Sequence, residues 1–365
     1  MDGLVELLSD LVRIDSINPD LVPGAAGEGE IARFAAGWLE RAGLDVEVEE
    51  VAPARFNAVG IARGSGGGKT LLLNAHLDTV GVAGMERPFE PAVVDGRLRG
   101  RGSYDMKGGL AAIMLAGARA ARAGLRGDVV VAAVCDEEVA SIGTARVAEG
   151  LRADAAIVAE PTELRLALAH KGFVGFELET RGRAAHGSRP DLGIDAIARM
   201  GHVLVGIEEL DRRLRADPTH PLLGSGSLHA SVISGGQEFS SYPERCLLQG
   251  ERRTVPGETA GHVEGELREL LGDLEGEIRV VVAREPFETP ADAPIAELVR
   301  RHAGDPDVVG VPFWADSALL SSAGIPTVVY GPAGEGAHAV EEWVDLASVE
   351  TCAEVYTSVA RELCA

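Results

Sequence analysis

Three apolar runs in this chain stop in the same way. LLLNA (71–75) is followed by His76 and Asp78, VVVAAVC (129–135) by Asp136, Glu137 and Glu138, and AAIVA (155–159) by Glu160. A fourth, in IPTVVYGPAGEGA, runs out toward His338. Such runs, apolar without polar alternation, are strands buried on both faces; with helical segments between them they make a mostly parallel sheet. Open parallel sheets bind ligands beyond the carboxyl ends of their strands, which is where each run places its histidine or acid. Acids packed side by side against a core repel each other and lose solvation. The cluster at 136–138 therefore calls for a positive centre.

A metal ion supplies one. Asp105, in GRGSYDMKGG just ahead of a helical segment, joins the same edge. Histidine with Asp or Glu suits zinc, with cobalt or manganese as alternatives. Two histidines and three acids are too many for one tetrahedral ion that keeps an open position; they suit two ions sharing a bridging carboxylate. Taken singly, His76 reads as a structural histidine, Glu137–Glu138 as a solvated strand end and Glu160 before Pro161 as a turn. Only their convergence on one edge argues for ligation.

Around this edge the chain alternates strands and helices. Helical periodicity covers 3–13 and 28–43, the latter stopping at Gly43 as a C-terminal cap would. DVEVEEV, NAVGIAR and KTLLLNAHLD read as strands, the last two separated by a glycine-rich hairpin turn. GSGGGKT is no phosphate-binding loop: Arg63 stands where the first glycine is needed, and the stretch precedes a strand instead of opening a helix. Past residue 168 the texture changes. LALAHKGFVGFELETRGRA alternates polar and apolar, a helix spans roughly 192–215, and SLHASVISGG, RCLLQGERRTV, a helix at 258–272 and EIRVVVAREP follow. That order, β-α-β-β-α-β, predicts a ferredoxin-like unit. The expectation is an α/β catalytic domain, 1–168 and 285–365, interrupted by a smaller α+β domain, 169–284.

A net charge of -23 argues against nucleic acid and anionic membranes as partners. No apolar run reaches the ~18 residues of a membrane span. Four cysteines without a CxxC pair make neither a disulfide framework nor a cysteine zinc site. The N-terminal segment lacks the basic and apolar regions of a signal peptide, so a cytoplasmic protein is expected.

Seven stretches, NAHLDTV, GRGSYDMKGG, DEE, AEPT, RGRAAHGSRPDLGIDAI, WADSALLSSAGIPTVVYGPAG and AHAVEEWV, stand in an order that resembles the M20 metallopeptidases, a group that includes acetylornithine deacetylase, succinyl-diaminopimelate desuccinylase, aminoacylase-1 and glutamate carboxypeptidase. The resemblance covers nearly the whole chain. It implies a zinc-exopeptidase-like catalytic domain with a lid and dimerisation domain, and hence a homodimer. It makes Asp105 the bridging carboxylate, His76 and Glu160 the other ligands of one metal, and Glu138 and His338 those of the second. Asp78 would orient His76, the Asp105–Met106 peptide would be cis, and Glu137 would be the general base. On the lid, His186 would stabilise the oxyanion in the partner's site and Arg253 would bind the substrate carboxylate, with Arg252 one position away. Ser240 and Gly331 are assigned to substrate binding. Ser240 stands where relatives often carry Asn ahead of a proline, so the substrate contact there is expected to differ. The activity implied is hydrolysis of the amide bond of N-acyl-L-amino acids. A carboxypeptidase or dipeptidase acting on short peptides, and an inactive metal-binding homologue, are the alternatives. Asp136 is left without a role.

Overall fold

The computed structural model describes residues 2–365, which form two compact units. The first contains residues up to Leu168, Thr289–Val309 and Ala315–Ala365; the second contains Ala169–Glu288 and Gly310–Trp314.

The centre of the first unit is four parallel strands in the order Val129–Val134, Leu71–His76, Ala155–Val158 and Thr327–Val329. Every residue of these strands is buried, as unbroken apolar runs require. Antiparallel strands flank them: Arg55–Ala62 and Asp45–Ala52 on one side, and the strand beginning at Leu166 on the other. The sheet is thus parallel at its core and antiparallel at its margins.

The glycine-rich segment 64–68 is not a hairpin, contrary to expectation. Arg55–Ala62 and Leu71–His76 are not neighbours; Val129–Val134 lies between them. The segment instead crosses the start of that middle strand. A Cβ on Gly64 or Gly68 would stand 2.3 or 2.2 Å from the main chain of Arg126 or Gly127. The glycines serve close approach of two backbones.

Helix Gly108–Ala120 is buried almost all round. It packs on the strands and on the C-terminal helix Leu346–Leu363, to which the sequence analysis assigned no element. Helix Gly29–Ala42 ends at Gly43 with φ 100°, its N–H closing on Glu40 and Leu39 carbonyls. A small sheet of Gly334–Glu335, Trp343–Asp345, Arg97–Arg99 and Ala92–Val94 completes the unit. Among the described residues no helix is long and apolar enough to cross a membrane. The four cysteines are buried and free.

The second unit has the expected β-α-β-β-α-β order: Gly172–Arg181, helix Ala196–Ala216, Ser227–Gly235, Arg245–Thr254, helix Ala260–Leu271 and Gly276–Arg284. Gly172–Arg181 lies between Arg245–Thr254 and Gly276–Arg284, all antiparallel, which is the ferredoxin-like arrangement. Its core is Val174, Phe176, Leu178, Met200, Val203, Ile207, Leu228 and Leu248 with Val263 and Leu267. Ser227–Gly235 is an edge strand, exposed from His229 onward.

Candidate metal centre

The first unit gathers His76, Asp105, Glu137, Glu138, Glu160 and His338 at the carboxyl ends of its parallel strands. His76 is the last residue of its strand, and Glu160 lies two residues beyond Val158. Glu137 and Glu138 stand on the turn after Val134. His338, with φ 61°, sits in the loop between Gly334–Glu335 and Trp343–Asp345. Asp105 is on a wide turn, Ser103–Lys107, that runs into the buried helix, and its peptide bond to Met106 is cis.

Two donor sets share Asp105. His76 Nε2 stands 3.1 Å from Asp105 Oδ1 and 3.7 Å from Glu160 Oε1. His338 Nε2 stands 3.3 Å from Asp105 Oδ2 and 3.2 Å from Glu138 Oε2. Donors of one tetrahedral zinc, bonded at ~2.0–2.1 Å, are spaced about 3.3 Å apart. Both sets fit that spacing, with one oxygen of Asp105 turned to each. The other oxygen of Glu138, Oε1, is buried without a hydrogen-bond partner.

The electrostatics ask for a cation in the same place. Burial pushes the Glu137 carboxyl well above its ordinary range, and the charge of Glu160 adds to this against the pull of His76. Glu160 is raised likewise by burial, and Glu138 by burial against its bond from His338. Asp105 moves the other way: the bonds from His338 and His76 overcome its burial and hold it low. Asp105 and Glu138 push His338 up to about 10. Both imidazoles are thus raised by the carboxylates around them, His76 in spite of its burial.

Asp78 reaches the His76 ring chiefly through its main chain. The His76 Nδ1 meets the main-chain carbonyl of Asp78 at 2.9 Å, whereas the Asp78 carboxylate is 3.7 Å away. A carbonyl only accepts, so Nδ1 carries a proton, and Nε2 is the ring nitrogen turned to Asp105 and Glu160. The Asp78 carboxylate instead accepts the main-chain N–H of Glu137 at 3.1 Å and of Glu138 at 3.2 Å. Gly331 follows the Thr327–Val329 strand. Its N–H donates to Thr162 Oγ1 at 3.0 Å, and a Cβ there would stand 2.1 Å from the Glu160 carbonyl oxygen.

His186, Ser240 and Arg253 belong to the second unit. His186 is exposed, and its Nδ1 accepts the Ser188 N–H at 3.2 Å, which leaves Nε2 as the donor nitrogen of a neutral ring. The Gly187 N–H binds the Ser240 carbonyl at 2.6 Å, so these two segments adjoin. Arg253 stands eight residues along its strand from Arg245, roughly 27 Å at 3.4 Å per residue. The two arginines differ sharply. Arg252 is buried, with its guanidinium on Glu258 at 2.8 Å and Glu266 at 3.0 Å. Arg253 is partly exposed, paired with Glu251 and lying over the Phe173 ring at 5.1 Å. Arg252 is thus taken up by two carboxylates in the interior, whereas Arg253 keeps part of its side chain exposed.

Two residues near the metal donors escaped the sequence reading. Glu342 is buried, and its carboxylate takes the N–H groups of Gly102, Tyr104 and Asp105 at 2.9, 2.9 and 3.0 Å and Arg101 Nη1 at 2.7 Å. It holds the turn that presents Asp105. Asp316 accepts from Thr144 at 2.6 Å, and burial raises it to about 6. The signal for Glu342 was its place in AHAVEEWV, four residues after His338; for Asp316 it was a lone acid in the apolar stretch WADSALL.

Comparison with known proteins agrees with the geometry. Peptidase family M20/M25/M40 matches residues 72–362. The acetylornithine deacetylase of Myxococcus xanthus is 32% identical over all of this chain and 98% of its own, and that of Proteus mirabilis (strain HI4320) is 28% identical over 99% and 96%. Among solved structures, a tripeptidase from Staphylococcus aureus superposes with TM-score 0.80 at 19% identity, covering 100% of this chain and 98% of its own. The Bacillus subtilis YXEP protein, described as a dinuclear metal-binding peptidase from the M20 family, gives 0.76 at 17% over 100% and 98%. Given two donor sets about one shared carboxylate, on this fold and with a match of this length, the chain belongs to peptidase family M20/M25/M40 and is a metal-dependent hydrolase.

Proposed function

We propose that the protein hydrolyses the amide bond of N-acyl-L-amino acids. The observation that carries the reading is the pair of donor sets joined by Asp105 with Glu137 beside them and bound to neither. Full-length relatives named acetylornithine deacetylase support an N-acyl amino acid over a peptide as substrate. His76, Asp105 and Glu160 would hold one divalent ion, and Asp105, Glu138 and His338 the other. Zinc suits these donors best, and cobalt or manganese remain compatible. When bound, the ions polarise the scissile carbonyl and acidify the attacking water.

The chain's own residues do the rest. Glu137, its main chain fixed by Asp78, takes a proton from the attacking water on a carboxylate oxygen. It then delivers that proton to the leaving nitrogen. The raised affinity of Glu137 for protons, caused by burial and Glu160, suits a group that must hold one between these steps. Its neighbour Glu138 keeps its lone pairs for metal, since successive residues leaving a strand point apart. We assign the second unit as the lid. Its His186 would donate from Nε2 to the oxyanion in the partner's site, Arg253 would grip the substrate carboxylate, and Ser240 and Gly331 are assigned to substrate binding.

The exposed edge strand Ser227–Gly235, with Val232 56% and Ile233 50% exposed, supports a homodimer built on this lid, because an unpaired edge invites pairing. Sedimentation equilibrium that finds only monomer rules the dimer out. The buried free cysteines support a reducing, cytoplasmic compartment.

The test is a panel of N-acetylornithine, N-succinyl-diaminopimelate, aromatic N-acetyl amino acids and dipeptides, assayed with added zinc, cobalt or manganese. Wild type is expected to turn over an N-acyl amino acid fastest. Glu137→Gln is expected to keep both ions and lose ~10²–10⁴-fold in kcat. Near-normal turnover by that variant removes Glu137 as the base, and a clear preference for dipeptides removes the deacylase reading.

A further inference from the structure

Asp136 is the one acid of the 136–138 cluster that meets none of the metal donors, yet it is only 1% exposed. Its carboxylate Oδ1 accepts from Asn18 Nδ2 at 3.1 Å and from Arg55 Nη2 at 2.8 Å. The same Asn18 nitrogen donates to Asp78 Oδ2 at 2.7 Å. A side-chain amide carries two N–H bonds. One buried amide therefore ties together the carboxylates that follow two neighbouring parallel strands, Leu71–His76 and Val129–Val134.

The bridge is anchored on both sides. Arg55 also reaches Glu28 at 2.6 Å and Asp20 at 2.5 Å, so Asp136 is held by a guanidinium that is itself fixed. The Asn18 N–H binds the Thr79 carbonyl at 2.9 Å, and its Oδ1 accepts the Asp20 N–H at 3.0 Å. The Thr79 N–H in turn binds the Ser16 carbonyl at 3.0 Å. Beyond Asp78 lie the N–H groups of Glu137 and Glu138, the residues whose side chains must diverge, one to substrate and one to metal. Without the amide, Asp78 and Asp136 would be like charges with no donor between them, and the turn carrying both glutamates would relax away from Asp78.

We propose that Asn18 is a positioning residue for Glu137 and Glu138, its amide clamping Asp78 to Asp136 so that the general base and the second metal's carboxylate leave the strand in fixed directions. This rests on the two-metal reading given above.

Asn18→Ser keeps an acceptor for the Asp20 N–H and removes both donor bonds; Asn18→Asp is nearly isosteric and does the same while adding a charge. Zinc affinity of the metal-free protein is read by competition with a chromophoric chelator, which yields two Kd values, and His338→Ala identifies which of them belongs to the Glu138 site. In Asn18→Ser that Kd is expected to weaken ~10–100-fold and the other by less than about threefold, as loss of a group supporting a ligand does. In the zinc-loaded variant kcat is expected to fall ~10–100-fold at a KM within about twofold of wild type. The Glu137 and Glu138 amides are expected to exchange hydrogen faster in the variant while the central strands do not. In wild type these two amides are expected to be protected by about tenfold or more. That measurement needs no variant, and their free exchange overturns the clamp. A folded Asn18→Ser or Asn18→Asp with both Kd values, kcat and amide protection unchanged also overturns it. A loss of stability alone, with Kd and kcat intact, overturns it as well. A wild type that binds fewer than two zinc ions overturns the two-metal reading and this inference together.

Discussion

Replacing Glu342 by glutamine tests how the bridging carboxylate is presented. Glu342 is 2% exposed and each of its oxygens serves two donors. Oε1 takes the N–H groups of Tyr104 and Asp105, and Oε2 those of Gly102 and Arg101. Glutamine has the same shape, but one of its two ends is an NH₂. Whichever way it turns, that end faces two donors. Two bonds to a charged acceptor are lost, at ~1.5–3 kcal/mol each. Arg101 also loses its buried counter-charge while its Nε already has no partner. The two bonds sum to about 3–6 kcal/mol, and the cost of breaking a buried ion pair from one side, about 3–5 kcal/mol, is the tighter figure. For a unit of this size each kcal/mol moves Tm by ~2–4 °C. Scanning calorimetry of metal-free Glu342→Gln is therefore expected to show a Tm lower by about 6–20 °C.

The adjacent Glu341 is exposed, so Glu341→Gln is the control and is expected to stay within about 0.5 kcal/mol of wild type. Because the turn bearing Asp105 hangs on Glu342, zinc affinity of the folded variant is expected to drop ~10–100-fold at both sites, since Asp105 serves both. If Glu342→Gln and Glu341→Gln melt together, or zinc binds the former undiminished, the four contacts do not hold the Asp105 turn and the reasoning fails.

Two further outcomes follow from close packing and from pairing. Gly331→Ala places a methyl group 2.1 Å from the Glu160 carbonyl oxygen, so Glu160 must shift; a tenfold or greater loss of affinity, on the order seen when a ligand's support is disturbed, is expected at the His76–Glu160 site by zinc titration, and unaltered binding refutes this. Arg252→Ala leaves Glu258 and Glu266 without their buried partner and is expected to cost about 3–5 kcal/mol in urea unfolding, whereas Arg253→Ala is expected to stay within about 1 kcal/mol and to act on KM.

The parallel strands were legible because each is an apolar run with no alternation, and the metal donors because each follows such a run directly. The ferredoxin-like unit was legible from its alternating strands. The clamp was not, because Asn18 meets Asp78 and Asp136 across 60 and 118 residues, and nothing local to Asn18 marks either partner. The hairpin assigned to 64–68 failed for a related reason: a glycine-rich turn shows that two backbones come close but not which two. Helix Leu346–Leu363 was overlooked because Val, Thr, Ser, Cys and Tyr give its sequence poor helical propensity. Its Asp345 cap, accepting from the Ser348 N–H at 2.7 Å, and its buried face override that propensity. Which atom of Asp78 meets His76 was not legible either, since a residue two positions after a histidine can reach the ring with its main chain as readily as with its carboxylate.

These contacts explain why so many acids can sit at one sheet edge. They fall into two groups by what satisfies them. Asp136 has Asn18 and Arg55, Asp78 has Asn18 and two main-chain N–H groups, and Glu342 has four donors. For these three the protein itself supplies the donors. Glu138 keeps a buried oxygen with no partner, and Glu137 and Glu160 are held high by burial against neighbouring charge. For these three the protein's own donors fall short. The undersupplied acids stand beside Asp105, whose two oxygens face different imidazoles. A buried carboxylate without donors either takes up a proton or meets a cation. The shortfall gathers beside the two sets that share Asp105, and that is where the positive charge belongs. The satisfied acids form the frame, and the unsatisfied ones mark what the frame is built to hold.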